Sequence, residues 1–226
     1  PVIYNYPEIY SDADTDQRLL LRLSDKEMLD LVAHVINNNA EKVQPQHSPS
    51  IRIDHISLEK ADIMRELEAQ IYPSSMRQYD DEATVREELN KNGYRKFSFF
   101  VRADSDSTKD YIGYCLAYLD KSETEPSRSR EVLYIADFAV IPEAQGGHIG
   151  SRMLEELLER ANNGGIDKIE MHARESTSYQ ALTNSNWVRR ILYNYGYKMI
   201  DYGAVDYFED DEGNTEIIYL IGLDRI

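Results

Sequence analysis

The sequence predicts an α/β protein of the α+β kind, in which a mixed central β-sheet is flanked by helices. Strand and helix patterns alternate through the middle of the chain, and paired strand patterns stand at its start and its end. The 226 residues are enough to bury one sizeable core. We therefore expect one main domain over residues 51–226, preceded by an N-terminal helical extension and linker over residues 1–50.

A helix-start pattern and a proline-containing linker predict the extension. The stretch SDKEMLDLVAHVINNN begins with Ser24 and has Glu27 three residues later, which is a capping-box pattern. Five apolar residues then follow at helical spacing: Met28, Leu31, Val32, Val35 and Ile36. An isolated helix this short is marginal, so its apolar stripe must pack against the main domain or against a second copy in a homodimer.

The main domain contains seven strand patterns and four helix patterns. The strands are predicted at IRIDHIS, KFSFFVR, YIGYCLAYL, LYIADFAVI, DKIEMHAR, KMIDYGAVDYF and TEIIYLIGL. The helices are predicted at LEKADIMRELEAQIY, at DEATVREELNKNG ending near Gly93, at SRMLEELLERANN ending at Gly164 and Gly165, and at NWVRRILYNYG.

The charge balance restricts the class of partner. Asp and Glu number 41 against 25 Lys and Arg, which gives a formal net charge of −16 at pH 7. Such a field repels phosphate backbones and anionic lipids, so we expect neither nucleic-acid nor membrane binding. It favours a cationic acceptor such as an amine, unless the acidity serves only solubility.

Composition also predicts a cytoplasmic location. No apolar stretch approaches the roughly 18 to 20 residues that cross a bilayer, and the N-terminus lacks a signal-peptide pattern. The single cysteine, Cys115, lies in the apolar run YIGYCLAYL and is expected to be a buried packing residue in a reducing compartment. No Cys and His cluster has metal-ligand spacing, so we expect no metal.

The turn VIPEAQGGHIG joins the strand LYIADFAVI to the helix after it. Gly146 and Gly147 lack a β-carbon, so they can adopt positive φ and let a ligand approach the backbone. The helix from about Gly150 offers unbonded N–H groups and the positive end of its dipole. The pattern predicts an anion cradle, with a simple tight turn as the alternative.

The stretch VIPEAQGGHIGSRMLEELL resembles the cofactor motif of the GNAT superfamily of acyl-CoA-dependent N-acetyltransferases. The six positions of its glycine motif hold Gln145, Gly146, Gly147, His148, Ile149 and Gly150. The resemblance implies that the backbone of this loop and of Ser151 holds the pyrophosphate of acetyl-CoA, and that the backbone of Phe138, Ala139 and Val140 pairs with the pantetheine arm. Because His148 stands where glycine is usual, its imidazole either contacts phosphate or faces solvent or neighbouring side chains.

A second stretch, SNWVRRILYNYGYK, resembles the late helix of the same family. There an asparagine is followed seven residues later by a tyrosine, as Asn186 is by Tyr193. The resemblance implies that Asn186 belongs to the cofactor site and that Tyr193 is the general acid for the departing thiolate. The gap from Tyr193 to Gly196 is one residue shorter than is usual in the family, so counting back from Gly196 selects Leu192 instead of Tyr193. Tyr195 is the fallback candidate for the general acid.

A base is also required, because an alkyl ammonium with a reference pKa of about 10.4 is mostly protonated at neutral pH. Asp137 interrupts an apolar strand, where a carboxylate is costly unless it is paired, hydrated or used. The stretch YIADFAV resembles polyamine-acetylating members of the family, although Ala136 replaces the first of their two acids. Asp137 thus binds the amine, relays its proton, or makes a structural hydrogen bond; His172 is a second relay candidate.

Together these observations predict an acetyl-CoA-dependent N-acetyltransferase that works by direct transfer. Its acceptor is a primary amine, either a protein lysine or N-terminus or a polyamine-like small molecule. The alternative from another class is a non-catalytic acyl-CoA-binding or protein-interaction module on the same fold.

Overall fold

The structure is a computed structural model that describes residues 50–74, 77–79, 81–103, 111–145, 147–209, 213 and 215–226. The predicted helix at the N-terminus and its linker lie outside the described residues, so the separate extension stays a prediction. No helix in the described part of the chain is long and apolar enough to cross a membrane.

Seven strands form one mixed sheet in the order β1-β2-β3-β4-β5-β7-β6. The strands are β1 (Ile51–His55), β2 (Phe99–Ala103), β3 (Tyr111–Asp120), β4 (Val132–Val140), β5 (Lys168–Arg174), β6 (Tyr197–Glu209) and β7 (Thr215–Arg225). All neighbouring pairs are antiparallel except β4 and β5, which are parallel. The predicted mixed sheet is therefore confirmed, and the consecutive strands β2 and β3, like β6 and β7, form antiparallel pairs.

Six helices occur in the same described residues. They are α1 (Ala61–Ile71), α2 (Glu82–Leu89), α3 (Tyr94–Phe97), α4 (Ile149–Gly164), α5 (Gln180–Thr183) and α6 (Asn186–Asn194). Short 3-10 turns lie at Leu58–Lys60 and Pro142–Ala144, and a π-helical turn at Glu175–Tyr179 follows β5. The helix α4 is the crossover that parallel strands require between β4 and β5.

The sheet has a separate apolar core on each face. Helices α4 and α6 supply Met153, Leu157, Val188 and Leu192 to one core, and helices α1 and α2 supply Met64, Leu67, Val85 and Leu89 to the other. These residues follow the helical spacing read from the sequence, because one stripe of each helix must face the sheet. Cys115 is buried and free, as expected.

One predicted strand boundary is wrong. Helix α2 ends at Leu89, short of the predicted Gly93, and the chain then forms the helical turn α3 where KFSFFVR was predicted to begin a strand. The turn carries Tyr94 into one core and Phe97 into the other, and each is at most 2% exposed. The burial of these two rings on opposite faces outweighs the local strand preference, so β2 starts only at Phe99.

Candidate functional site

Strands β4 and β5 are paired for only three residues each. Leu133, Tyr134 and Ile135 pair with Ile169, Glu170 and Met171, and no pairing follows between residues 136–140 and 172–174. Strand β4 also carries a bulge, since Leu116 faces Asp137 while the next pair is Ala117 with Ile135. The sheet thus opens beyond the pair Ile135–Met171, and we call this gap the β4–β5 opening.

Apolar and aromatic side chains from β4, from the turn after β5 and from β7 lie on the α4 face of the sheet. Phe138 and Val140 of β4, Tyr179 after β5 and Tyr219 of β7 are all partly buried against that core. The rings of Tyr179 and Tyr219 stack with centroids 3.9 Å apart, and the Tyr179 hydroxyl donates to Asp201 Oδ2 at 2.7 Å. This face suits an acyl thioester and its uncharged arm, while the free edge of β4 offers unpaired backbone groups.

The start of α4 has the features predicted for an anion site. The first intrahelical bond of the helix runs from the Arg152 amide to the His148 carbonyl, at 3.1 Å, so the amides of residues 149–151 have no intrahelical partner. The first turn contains no acidic residue, and a β-carbon added to Gly150 would meet no atom within 4 Å. Open space, free amides and the positive dipole end together fit a phosphate group.

The loop before α4 is held to the end of β4. The Gln145 side-chain amide donates to the Val140 carbonyl at 3.1 Å. His148 is the single described non-glycine residue with positive φ, at 62°, and so takes the left-handed conformation itself. This conformation costs a residue with a β-carbon on the order of 1–2 kcal/mol. Gly146 lies outside the described residues, and the phosphate contact of the His148 imidazole stays a prediction.

Asp137 is engaged on both carboxylate oxygens. Its Oδ1 accepts the Tyr72 hydroxyl at 2.8 Å and the Phe138 amide at 2.8 Å, and its Oδ2 accepts the Tyr114 hydroxyl. Burial raises the pKa of Asp137, although these hydrogen bonds work against the shift. Burial and the nearby carboxylate also raise the pKa of Tyr72 and of Tyr114. These contacts are the ones expected if Asp137 makes structural hydrogen bonds.

His172 lies one residue beyond the last β4–β5 pair, on the polar face of β5. Its Nδ1 is 3.2 Å from the Tyr134 hydroxyl, and its Nε2 is 3.1 Å from Glu123 Oε2. An ionised carboxylate only accepts, so Nε2 is assigned the proton and donates a hydrogen bond to Glu123. In the neutral imidazole, Nδ1 then accepts from the Tyr134 hydroxyl. The three residues form a hydrogen-bonded group next to the point where the pairing of β4 and β5 ends.

Sequence reasoning missed Tyr134 and Glu123. Tyr134 is one of 17 tyrosines, and Glu123 lies in a polar loop 49 residues before its partner. The usable signal was the alternation of IEMHAR, which puts His172 on the polar face of its strand.

Helix α6 holds the residues predicted from the second stretch. Asn186 is its first residue, and Leu192 is buried in the core, where it has no proton to give. Tyr193 points away from the core with 73% of its side chain exposed, and its hydroxyl makes no hydrogen bond within the described part of the chain. The structure does not join Tyr193 to Asp137 or His172.

Tyr195, the fallback acid, follows the end of α6 and is half-buried. Burial raises the pKa of its phenol, and the nearby carboxylates of Glu155, Glu159 and Glu156 add to the shift. The Asn162 side chain donates to its carbonyl at 3.0 Å, which fixes the end of α6 against α4.

The profile of the Acetyltransferase (GNAT) family matches residues 61–182, which is more than half of the chain. The chain belongs to the GNAT family. The resemblance seen in the sequence is thereby confirmed, and family membership supports acetyl-CoA as the cofactor of this GNAT protein. No curated protein matches it.

Solved structures show the same fold for this GNAT chain. A NatC complex bound to Gag peptide and CoA has a TM-score of 0.51 at 13% identity over 76% of this chain and 97% of that chain. The ribosomal-protein-S18-alanine N-acetyltransferase from Escherichia coli has a TM-score of 0.50 at 12% identity over 78% and 94%. A spermidine N-acetyltransferase chimera of SpeG from Vibrio cholerae and hSSAT has a TM-score of 0.50 at 12% identity over 75% of this chain and 93% of that chain.

Proposed function

We propose that this GNAT protein transfers an acetyl group from acetyl-CoA to a primary amine by direct transfer. The observation that carries the proposal is the β4–β5 opening, which has an anion site at the start of α4 on one side and the His172 group at its mouth. Proximity of the two reactants in such an opening supplies a large part of the acceleration in bimolecular transfers.

The cofactor would be held mainly by backbone. The amides of His148, Ile149, Gly150 and Ser151 would hold phosphate, with Gln145, Gly146 and Gly147 shaping the loop and Asn186 completing the site. The unpaired edge of β4 at Phe138, Ala139 and Val140 would bind the arm. The bound cofactor supplies the activated acetyl thioester, and the chain supplies its position and the proton transfers.

The Tyr134–His172–Glu123 group would remove the proton of the attacking ammonium. The Tyr134 hydroxyl takes the proton of the amine while it passes its own to His172 Nδ1, and Glu123 holds the resulting imidazolium through Nε2. Burial and the Glu123 carboxylate raise the pKa of the Tyr134 phenol, so it acts as a neutral relay and not as a resident anion.

Asp137 and Tyr193 complete the proposed catalytic set. Asp137 holds the Tyr72 and Tyr114 hydroxyls, and its part in proton movement is decided by an Asp137→Asn variant. Tyr193 is the proposed acid for the thiolate, with Tyr195 as fallback; a phenol of reference pKa about 10 can donate to it. The net negative charge favours a cationic acceptor, of protein or polyamine type, in the cytoplasm.

The exposure of Tyr193 favours one rival, a non-catalytic acyl-CoA-binding or interaction module. The test is titration calorimetry of the protein with acetyl-CoA, followed by thiol release with polyamines, lysine peptides and peptides with free N-termini. Binding with thiol release supports the transferase, whereas binding without release to any acceptor supports the rival. A protein that does not bind acetyl-CoA contradicts both.

The His172→Gln variant links the activity to this site. Its matched control is His55→Gln, because His55 is also exposed but lies on the far edge strand β1. We expect His172→Gln to lose thiol release while it binds acetyl-CoA as before, and His55→Gln to keep both.

A further inference from the structure

We infer that Glu170 is a positioning residue for His172 and acts through Glu123. The inference rests on the proposed function, in which His172 accepts the proton of the amine. It extends that function to a buried residue that touches neither substrate nor cofactor.

Glu170 is fully buried on β5 and binds one loop with both carboxylate oxygens. Its Oε1 accepts the Ser122 hydroxyl at 2.7 Å and the Thr124 hydroxyl at 2.6 Å, and its Oε2 accepts the Glu123 amide at 2.8 Å. Burial opposes ionisation, but these hydrogen bonds, with the Lys168 charge, hold the pKa of Glu170 below its usual value. The carboxylate therefore fixes the backbone of the residue that faces the imidazole.

Lys168 completes this buried cluster from the same face of β5. Its Nζ lies 2.6 Å from the Thr124 hydroxyl, 2.7 Å from Glu125 Oε1 and 3.4 Å from Glu170 Oε1. An isolated buried carboxylate would be costly, so the ammonium and the loop hydroxyls are what make Glu170 tolerable there. Such a pair is a weak source of stability compared with an apolar pair.

Strand geometry explains why the Glu170 carboxylate lies against the loop of residues 122–124. Lys168, Glu170 and His172 lie on one face of β5, because side chains alternate with period two, whereas Ile169 and Met171 face the α4 core. The loop residue between the two hydroxyl contacts is Glu123, whose Oε2 reaches His172 Nε2 at 3.1 Å. Contact passes from Glu170 to the Glu123 backbone, from the Glu123 carboxylate to His172, and from His172 to Tyr134.

The test is a double-mutant cycle on Glu170→Gln and Glu123→Gln. Each variant is expected to lower kcat about tenfold, which is less than the roughly 10²–10⁴-fold rate acceleration that a general base supplies. The KM for acetyl-CoA should not change. Because both changes break one chain of contacts, the double variant should lose no more than either single variant. Asp167→Asn is the matched control: Asp167 binds Arg128 at the other end of the loop, at 2.6 Å, and its loss should leave kcat within about twofold.

A second readout needs neither substrate nor cofactor. The imidazole ¹⁵N shifts of His172 in the free protein report its two hydrogen-bond partners, and Glu170→Gln should move them as far as Glu123→Gln does. If Glu170→Gln does not fold, Thr124→Val replaces it in both measurements, because this change removes one hydroxyl from the cluster and keeps the shape of the side chain. Its control, Thr124→Ser, keeps the hydroxyl and should show the wild-type shifts and kcat.

Either of two results would overturn the inference: fully additive losses of kcat in the double variant, or His172 shifts that do not respond to Glu170→Gln and Thr124→Val. A wild-type protein that releases no thiol with any acceptor would refute the proposed function instead. The shift measurement would then still decide whether Glu170 places Glu123 on His172.

Discussion

Tyr134 and His172 meet where the pairing of β4 and β5 ends, with the Tyr134 hydroxyl 3.2 Å from His172 Nδ1 and the two rings edge to face. Glu123 Oε2 lies 3.1 Å from the other ring nitrogen, Nε2, which assigns the donor and acceptor roles of the three groups when the imidazole is neutral. In the proposed relay, the Tyr134 hydroxyl would therefore accept the proton of the amine and pass its own to His172 Nδ1.

Removal of the Tyr134 hydroxyl tests this relay. Tyr134→Phe should lower kcat by at least about tenfold, part of the roughly 10²–10⁴ attributable to proton transfer. The Kd of acetyl-CoA should not change, because the ring remains. The control is Tyr118→Phe: its ring packs on Tyr134 at 5.6 Å, but its hydroxyl binds Lys91. Equal losses of kcat in both variants would argue against a specific relay.

A negative charge in the first turn of α4 should have opposite effects on binding and stability. Gly150→Asp adds a carboxylate next to the free amides, which stabilises a helix start by about 0.3–1 kcal/mol but repels phosphate. We expect a Kd for acetyl-CoA at least about tenfold weaker, equivalent to about 1.4 kcal/mol, with no loss of Tm. Gly150→Ala controls for size, since the position has open space. Undiminished binding by Gly150→Asp would remove the start of α4 from the cofactor site.

The left-handed backbone of His148 predicts a difference between two variants. His148→Gly should unfold with a free energy about 1 kcal/mol higher than His148→Ala, because only alanine retains the β-carbon that opposes positive φ. Urea denaturation measures the difference. A comparison of the Kd of acetyl-CoA for wild type and His148→Ala then isolates the imidazole, and equal values would show that it makes no phosphate contact.

Stability should depend on pH through Asp137. The pKa of Asp137 in the folded protein is raised above the ordinary 3.8, so the folded state binds the proton of this carboxyl more tightly than the unfolded state does. The contribution is fully present below about pH 3.8 and is lost as pH rises through the raised pKa. Asp137→Asn does not titrate, so its free energy of unfolding relative to wild type should increase across that interval. A constant difference between the two proteins would contradict the shifted pKa.

Tyr193→Phe decides the role of the predicted acid. If the Tyr193 hydroxyl protonates the thiolate, kcat at saturating substrates should fall by about 10² or more. The matched variant is Tyr195→Phe, which removes the fallback hydroxyl from the same helix end. Wild-type turnover in Tyr193→Phe would remove Tyr193 from the mechanism, and a loss confined to Tyr195→Phe would transfer the role.

The local features of this protein were predictable because they depend on neighbouring residues. Alternation identified β4 and β5, helical spacing identified α4 and α6, and the glycine pair at the end of α4 marked its stop, where Gly165 has φ 70°. The anion site could be predicted for the same reason, since a strand, a glycine turn and a helix start are adjacent in sequence. The strand boundary after Gly93 failed because two rings are buried in opposite cores, which no local pattern encodes.

The sequence alone determined the family, the alternation of strands and helices and the segment in which the anion site is predicted. Only the tertiary structure decided which side chains contact Asp137 and His172. Tyr72 binds Asp137 across 65 residues, Glu123 binds His172 across 49, and Tyr134 binds His172 across 38. The two pairs at His172 exist because a crossover helix brings β5 beside β4 in one register and a buried carboxylate holds a distant loop on the sheet. Neither constraint is visible in a window of neighbouring residues.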